Sequence, residues 1–403
     1  MPTTGLPLEG VRVVEMTHMV MGPTCGMILA QLGAEVIKVE PPSGDKTRAL
    51  GGMGTAFFPL FNRGKRSLVL DFEQADDRNT MHRLLASADV FLENFRDGQL
   101  EKQGLGAAEL RRRHPHLIIA GHKGFLSGPY EHRPALDEVV QMMSGLAAMT
   151  GTKEKPQRVG SSANDIMGGM FGVISILAAL YQKRAGAKQR EKEGADKGAG
   201  QGADIRIGLF ENCLFLVAQH MVEYEMTGNK PRSMPEREHA WPIYDIFDAA
   251  AGGRIFIGVV TEGHWQSFCR EFRLHEFLDD PTLRTTTDRI FARGRIIPRV
   301  AEEIKRWDVK ELSARLDALN ICFSPINRPE DLFEDPHVLR PGGLVNTINA
   351  NGEAFRVPAL PIEWNGANLG EGLTVAPLGA DTAAIRAELE TENQTAKTAG
   401  RRA

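Results

Sequence analysis

Short runs of β-branched residues alternate with segments of helical pattern through the first 120 residues of the chain. This alternation is typical of βαβ units, in which parallel strands form a sheet that is covered by helices on both faces. The strand-like runs lie at 11–16, 35–40, 67–71, 89–94 and 117–120. The sequence therefore predicts a Rossmann-like α/β domain built on a parallel sheet.

Two proline-rich stretches, at 231–242 and 327–343, interrupt the later part of the chain, and we expect the chain to cross between domains there. A chain of 403 residues is also long for a single hydrophobic core. The sequence therefore predicts a large Rossmann-like domain formed by 1–227 and 328–403. A smaller α+β domain is predicted at 228–327.

A long apolar helix is predicted to run from Asp165 to about Arg184. The segment after it, 185–203, is rich in Lys, Glu, Gly and Ala and has no large apolar side chain. Such a composition cannot bury a core, so we expect a flexible insertion within the large domain.

Composition argues against several classes of function. The net charge is −4 and the basic clusters are short, so we expect a small-molecule substrate and no binding of nucleic acid. The four cysteines form no CxxC pair, which argues against a zinc site and indicates a reducing compartment. The first residues lack the pattern of a secretory signal, and we see no apolar run of membrane-spanning length. These features predict a cytoplasmic protein without a metal.

Common cofactor motifs are absent from the sequence. The segment 17–26, between the first strand and its helix, contains no GxGxxG, which argues against NAD or FAD. P-loop, GxSxG and HExxH motifs are also missing.

Asp165 precedes a long apolar helix, where an aspartate is commonly a helix N-cap but can also serve as a nucleophile. Its residue type alone leaves both roles open.

Nearly the whole chain carries motifs in an order that resembles one enzyme family. The motifs are 8–18 (LEGVRVVEMTH), Gly22–Pro23, 32–41 (LGAEVIKVEP), Gly44–Asp45, 62–67 (NRGKRS), 89–95 (DVFLENF), Gly98, Gly104–Leu105, Gly124–Phe125, Ser144–Gly145 and Ala163–Asp165. In these residues the chain resembles the family III CoA-transferases, which include formyl-CoA:oxalate and carnitine CoA-transferases.

The resemblance implies a mechanism and an assembly. Asp165 matches the family's catalytic aspartate, which forms an acyl-aspartyl anhydride and then an aspartyl-CoA thioester. The acyl-CoA is a substrate, and no cofactor is bound permanently. We expect the N-terminus of the following helix to keep Asp165 ionised. The family also forms homodimers in which two ring-like chains interlock, so the same assembly is expected here.

The resemblance also assigns site residues. Asn94 and Phe95 end a strand, where ligands of open parallel sheets bind, and Lys65 and Arg66 are basic residues suited to phosphates. The candidates for CoA binding are Met19, Val20, Lys65, Arg66, Asn94, Phe95, Arg96 and Lys123. The candidates for the substrate pocket are His18, Leu136, Asp137 and Trp241. Asp137 and Glu138 begin a predicted helix, so capping and a role in the pocket both remain open for them.

Three departures from the formyl-CoA:oxalate enzymes argue against oxalate. Val20 stands in place of a Gln, Leu136 in place of a Tyr, and 238–242 in place of a glycine-rich loop. We expect succinyl-CoA as the donor and a dicarboxylate-like acceptor, such as the sulfinate 3-sulfinopropionate, with Arg158 and His239 as conceivable anion ligands. The alternatives are an α-methylacyl-CoA racemase, which has a catalytic His where Leu136 lies, and a non-catalytic CoA-binding module.

Overall fold

A parallel sheet of six strands forms the centre of the larger of two compact units. The structure is a computed structural model, and it describes residues 5–192, 200–237 and 240–400. The larger unit comprises Met1–Pro235 and Leu339–Ala403, and the smaller unit comprises Glu236–Val338. Both boundaries between the units lie within the two proline-rich stretches of the sequence.

The sheet has the strand order β3-β2-β1-β4-β5-β6, which is that of a Rossmann fold. Its strands are β1 (Arg12–Met16), β2 (Glu35–Glu40), β3 (Lys65–Val69), β4 (Val90–Glu93), β5 (Ile118–Lys123) and β6 (Asp204–Gly208), and every neighbouring pair is parallel. The predicted α/β class is therefore confirmed. The strand order reverses between β1 and β4, and ligands of such sheets bind beyond the carboxyl ends of the strands at that point.

Helices cover both faces of this sheet. They are α1 (Met21–Gln31), α2 (Phe57–Phe61), α3 (Ala75–Ala86), α4 (Ala107–Arg113), α5 (Asp137–Met143), α6 (Leu146–Thr150), α7 (Ala163–Lys192), α8 (Leu209–Thr227) and, near the end of the chain, α14 (Thr382–Gly400). Alternate side chains of each strand point to opposite faces. Val13 of β1 thus packs in the core that contains residues of α1 and α7, whereas Val14 packs with residues of α3 and α14.

Helix α7 differs from its prediction in length. It continues past Arg184 to Lys192, because the Ala, Lys, Gln and Arg residues there are good helix formers. The predicted insertion at 185–203 is therefore helical at its start, and 193–199 lies outside the described residues.

The stretch Ala163–Gly186 is also long and apolar enough to cross a membrane by composition, contrary to our expectation. This is weak support for a membrane span, since the stretch packs on α1 and on the sheet as a core helix.

The smaller unit combines an antiparallel sheet of three strands with five helices. Its strands are β7 (Ile243–Asp248), β8 (Arg254–Val259) and β9 (Cys322–Pro325), and its helices are α9 (Glu262–Glu271), α10 (His275–Leu278), α11 (Thr286–Phe291), α12 (Arg293–Ile304) and α13 (Val309–Ala318). The helices bury Trp265, Phe268 and Phe272 against the sheet. Back in the larger unit, two hairpins precede α14: β10 (Leu344–Ile348) with β11 (Ala354–Pro358), and β12 (Glu363–Trp364) with β13 (Ala367–Asn368).

Candidate active site

The loop between β1 and α1 is held to β4 by a single asparagine. The side chain of Asn94 accepts a hydrogen bond from the backbone N–H of His18 at 3.0 Å and donates one to the His18 carbonyl at 2.8 Å. The next residue, Met19, has a positive φ of 64°. A side chain is rarely stable in that conformation without support from its surroundings. The double contact of Asn94 supplies such support and fixes the loop at the switch point of the sheet.

Two buried lysines contact the start of this loop and the first turn of α1 that follows it. The ammonium group of Lys38 donates to the Thr17 carbonyl at 2.7 Å, and that of Lys65 donates to the Pro23 carbonyl at 3.0 Å. Both ammonium groups also approach the buried carboxylate of Glu15, Lys65 at 2.8 Å and Lys38 at 3.5 Å. The start of the loop, at Thr17, and the first turn of α1, at Pro23, are therefore attached to a charged network inside the domain.

Lys65 is a residue of the core. Its side chain is 1% exposed, because β3 begins at this residue and directs it inward. Burial lowers the pKa of Lys65 to about 8, against the opposing effect of Glu15. Its ammonium also donates to Asn62 at 3.0 Å, so its contacts are already satisfied. This burial and these contacts argue against the phosphate contact that we predict for Lys65.

Arg66 points to the other face of β3 and joins the last helix to the sheet. Its guanidinium lies 2.8 Å from Glu388 of α14 and also pairs with Glu35 of β2. Hydrogen bonds to Glu388, followed by the pairing with Glu35, raise its pKa. Because the guanidinium of Arg66 is held by carboxylates, a phosphate would have to compete with them, and the predicted phosphate contact of Arg66 stays a prediction.

Asp165 lies in the first turn of α7 and is not its N-cap, because the helix begins two residues earlier at Ala163. Its backbone N–H donates to the carboxylate of Asp137 at 3.2 Å. That carboxylate also accepts a hydrogen bond from Gln141, whose amide oxygen accepts from the N–H of Val159 at 2.9 Å. Helix α5 thus holds both the segment before α7 and the turn that carries Asp165.

Asn164 fixes the other side of this turn. It is fully buried and donates to the carbonyl of Leu209 at 3.1 Å, and the amide of Asn212 donates to its carbonyl groups at 2.6 and 2.7 Å. Hydrogen bonds from Asn164 and from the Asp165 N–H therefore fix the backbone that carries the Asp165 side chain. A reacting group requires such preorganisation.

The carboxyl group of Asp165 has a pKa raised to about 7. Burial is the largest cause, followed by repulsion from the carboxylates of Asp137 and Glu138. This raised pKa is contrary to our expectation that the N-terminus of the helix keeps Asp165 ionised. The first turn of α7 favours negative charge, but desolvation and two neighbouring carboxylates outweigh that effect.

Asp165 lines a cavity of about 380 Å³ beyond the carboxyl ends of β1, β4 and β5. Eight residues predicted for the site come together in its wall: His18, Met19, Val20, Asn94, Lys123, Leu136, Asp137 and Asp165. This position is the one at which the Rossmann strand order predicts a ligand. The structure therefore brings together most of the residues that the resemblance assigns to the pocket.

Other predicted residues lie outside this wall. Phe95 packs under the His18 ring at a centroid distance of 5.5 Å, and Arg96 lines a second cavity of about 300 Å³ next to β4 and β5. Trp241 belongs to the smaller unit, where its ring packs on Tyr244 at 4.9 Å. His239 lies outside the described residues.

Two residues of the site, Gln141 and His122, were not among our candidates. Glu138 and His122 line the cavity, and burial lowers the pKa of His122 to about 4, so its ring is neutral near pH 7. Gln141 lies four residues after Asp137, one helical turn away, and this spacing was a usable signal. No group of three or more His, Cys, Asp or Glu side chains among the described residues is arranged to hold a metal ion.

The chain is similar over most of its length to several known proteins. The family described as CoA-transferase family III matches residues 8–382. The succinate–glutarate CoA-transferase of Agrobacterium fabrum is 30% identical over 98% of this chain and 99% of its own. The succinyl-CoA:mesaconate CoA-transferase of Haloarcula hispanica is 30% identical over 82% of this chain and 83% of its own. A crystal structure of a CAIB/BAIF family protein from Brucella suis superposes with a TM-score of 0.82 at 32% identity, covering 96% of this chain and 100% of that one.

Proposed function

Because this chain belongs to CoA-transferase family III, whose members use CoA thioesters as substrates and hold no permanent cofactor, we propose that it moves CoA from succinyl-CoA to a dicarboxylic acid on Asp165. One observation carries the proposal: Asp165, on a turn fixed by hydrogen bonds and with a pKa near 7, lines a cavity at the switch point of the sheet. Relatives named for glutarate, mesaconate and D-citramalate support a dicarboxylate as the acceptor. A sulfinocarboxylate such as 3-sulfinopropionate also has two anionic groups and belongs to the proposed class.

In the proposed mechanism, ionised Asp165 attacks the thioester carbonyl of succinyl-CoA. The C–S bond breaks, and a mixed anhydride and a CoA thiolate result. The thiolate attacks the aspartyl carbonyl, which releases succinate and leaves an aspartyl-CoA thioester. The acceptor carboxylate then attacks that carbonyl and expels the thiolate, and the thiolate takes the acceptor acyl group from the new anhydride. Asp165 leaves as a carboxylate, so no proton or electron is consumed over the cycle.

The residue type of Asp165 suits this chemistry. Anhydride and thioester are both activated acyl groups, so each step exchanges species of similar energy. An alcohol nucleophile would form a stable ester and stop the exchange. Among the predicted CoA-binding residues, Met19, Val20 and Asn94 border the cavity and remain our candidates for contacts along the pantetheine arm.

The test of this function is a covalent adduct. The protein is incubated with succinyl-CoA, digested and analysed by mass spectrometry. A mass increase equal to CoA minus water on the peptide that contains Asp165 is expected. CoA binding without an adduct or turnover would instead support a non-catalytic module. Exchange of solvent deuterium into the α-carbon of an acyl-CoA, again without an adduct, would support a racemase.

The acid limb of the pH profile is expected to depend on Asp137. The nucleophile must be ionised, so the rate of adduct formation should fall about tenfold per pH unit below a pKa near 7. Asp137→Asn removes one repelling charge and is expected to lower the pKa of Asp165, which moves the limb toward acid. Rates of a single half-reaction between pH 5 and 9 measure this shift. A limb that stays in place in the variant would contradict the proposed electrostatic cause.

We also propose an interlocked homodimer. Apolar side chains of α7 and α8 are widely exposed, among them Phe215 at 67% and Met226 at 79%. Soluble monomers rarely expose apolar surface on this scale, and a second copy would cover it. Light scattering at micromolar concentration is expected to give twice the chain mass of 44.3 kDa. A stable monomer of wild-type protein would contradict the assembly.

A cytoplasmic location remains part of the proposal. All four cysteines are free, and three of them, Cys25, Cys213 and Cys269, are buried. Burial raises the pKa of these three thiols, so they are protonated and unreactive. This state fits the reducing compartment that the sequence predicts.

A further inference from the structure

The cavity beside Asp165 contains more negative charge than accessible positive charge. Asp137, Glu138 and Asp165 all line it. Lys123 also lines it, but its ammonium already contacts two carboxylates and a backbone carbonyl. Burial lowers the pKa of His18, so that ring is neutral near pH 7. A dicarboxylic acid brings a second negative charge into this cavity and therefore needs a cation that these residues do not supply.

Arg158 is a cation at the edge of the same cavity. It lies on the segment that leads into α7, and its guanidinium is 2.9 Å from the Glu138 carboxylate. A second guanidinium nitrogen lies 4.0 Å from the sulfur of Met53, another residue of the cavity wall. The side chains of Arg158 and Glu138 are 28% and 48% exposed. An ion pair with this exposure contributes little to stability, and its partners can exchange.

We propose that Arg158 is the residue that selects dicarboxylic acids, and that Glu138 occupies the place of the substrate's distal carboxylate until the substrate arrives. The guanidinium offers a planar pair of N–H donors that matches a carboxylate, so an incoming acid can replace Glu138 without loss of geometry. Glu138 is exposed enough to turn into solvent. The inference rests on the proposed function, since it requires acyl groups to be held at Asp165.

One such cation can serve both halves of the reaction. Succinyl-CoA and the acceptor bind in turn with one carboxyl carbon at Asp165. Their distal carboxylates therefore fall in the same part of the cavity when the chains are similar in length. A single arginine can thus explain why donor and acceptor are both diacids, as in the names of several relatives.

The experiment compares two donors that differ in one group. Butyryl-CoA has the four-carbon chain of succinyl-CoA, with a methyl group in place of the distal carboxylate. The rate of CoA-adduct formation on Asp165 is measured with each donor in the wild type, Arg158→Gln, Arg158→Lys and Glu138→Gln. In Arg158→Gln the ratio of the succinyl-CoA rate to the butyryl-CoA rate is expected to fall at least about tenfold, or about 1.4 kcal/mol. The whole decrease should come from a slower reaction with succinyl-CoA, while the rate with butyryl-CoA stays the same. Arg158→Lys should keep part of the preference, and Glu138→Gln should keep or increase it.

Several outcomes would overturn the inference. An equal loss with both donors in Arg158→Gln would assign Arg158 a structural role, and an unchanged preference would exclude it from recognition. A wild type that forms the adduct equally well from both donors has no selection to explain. A wild type that forms no adduct from either donor contradicts the proposed function itself, and the inference with it. Thermal unfolding of each variant confirms that the compared proteins are folded.

Discussion

The Asp165→Asn variant is expected to form no CoA adduct and to retain less than about one ten-thousandth of the wild-type transfer rate. An amide of the same size cannot attack a thioester, and no neighbouring group can take its place. Asp137 lies close by, but its carboxylate is occupied by the Asp165 N–H and by Gln141. The measurement is single-turnover release of succinate from succinyl-CoA, with Asp165→Ala as a second variant that cannot deamidate to the wild type.

Loss of activity must be separated from loss of folding, and the charge of Asp165 supplies a test. Its pKa is raised in the folded protein, so its ionisation opposes folding. The penalty is absent below the ordinary pKa of about 3.9, grows with pH, and is complete above about 7. Asp165→Asn removes the penalty and is therefore expected to unfold at a higher temperature than the wild type at pH 8, but not at pH 4.

The combination of lost activity and increased stability in one variant is specific to a reactive carboxylate. Glu138→Gln is the matched control, since it also removes a carboxylate from the cavity wall but leaves Asp165 in place. It should keep adduct formation. If Asp165→Asn transfers CoA at the wild-type rate, the covalent mechanism is wrong. If it is both inactive and less stable at pH 8, Asp165 has a structural role that this electrostatic account omits.

The sequence predicts the sheet well because its signal is local. Each strand is a short β-branched run, and both faces of the sheet are covered, so the alternation of strands and helices directly indicates the layers. The catalytic role of Asp165 is a prediction that rests on the resemblance, and the structure places this residue in the cavity where the strand order reverses. The pKa of Asp165 could not be predicted. It depends on the approach of α5, which begins 28 residues earlier in the chain, and on the desolvation of the cavity.

Lys65 and Arg66 show how a local sequence pattern can suggest an environment that the fold does not provide. The sequence shows two adjacent basic residues before a strand, which resembles a solvent-exposed phosphate site. In the structure the strand begins at Lys65, so the two side chains point to opposite faces. The partner of Lys65 is Glu15, which lies 50 residues away on β1. No local pattern records that pairing, because it arises only when the central strands of the sheet come together.

The second large effect is expected from Lys65→Met, which should lower the free energy of unfolding by about 3 kcal/mol. The substitution keeps an unbranched side chain, one atom shorter, but leaves the buried carboxylate of Glu15 without its 2.8 Å partner. Lys38 remains at 3.5 Å from Glu15 and limits the loss. Arg66→Met is the matched control on the next residue, and its half-exposed ion pairs predict a loss of about 1 kcal/mol or less. Chemical denaturation of the two variants measures the difference.

A double variant separates the charge of Glu15 from the position of the loop. Glu15→Gln combined with Lys65→Met removes the unpaired buried charge, so most of the lost stability should return. The Pro23 carbonyl still lacks its ammonium partner, so the first turn of α1, which directly follows Met19 and Val20, stays less firmly held. Adduct formation on Asp165 should therefore remain slow in a protein of nearly normal stability. A Lys65→Met protein of wild-type stability with weakened binding of the CoA thioester would instead restore the phosphate role and contradict the structural one.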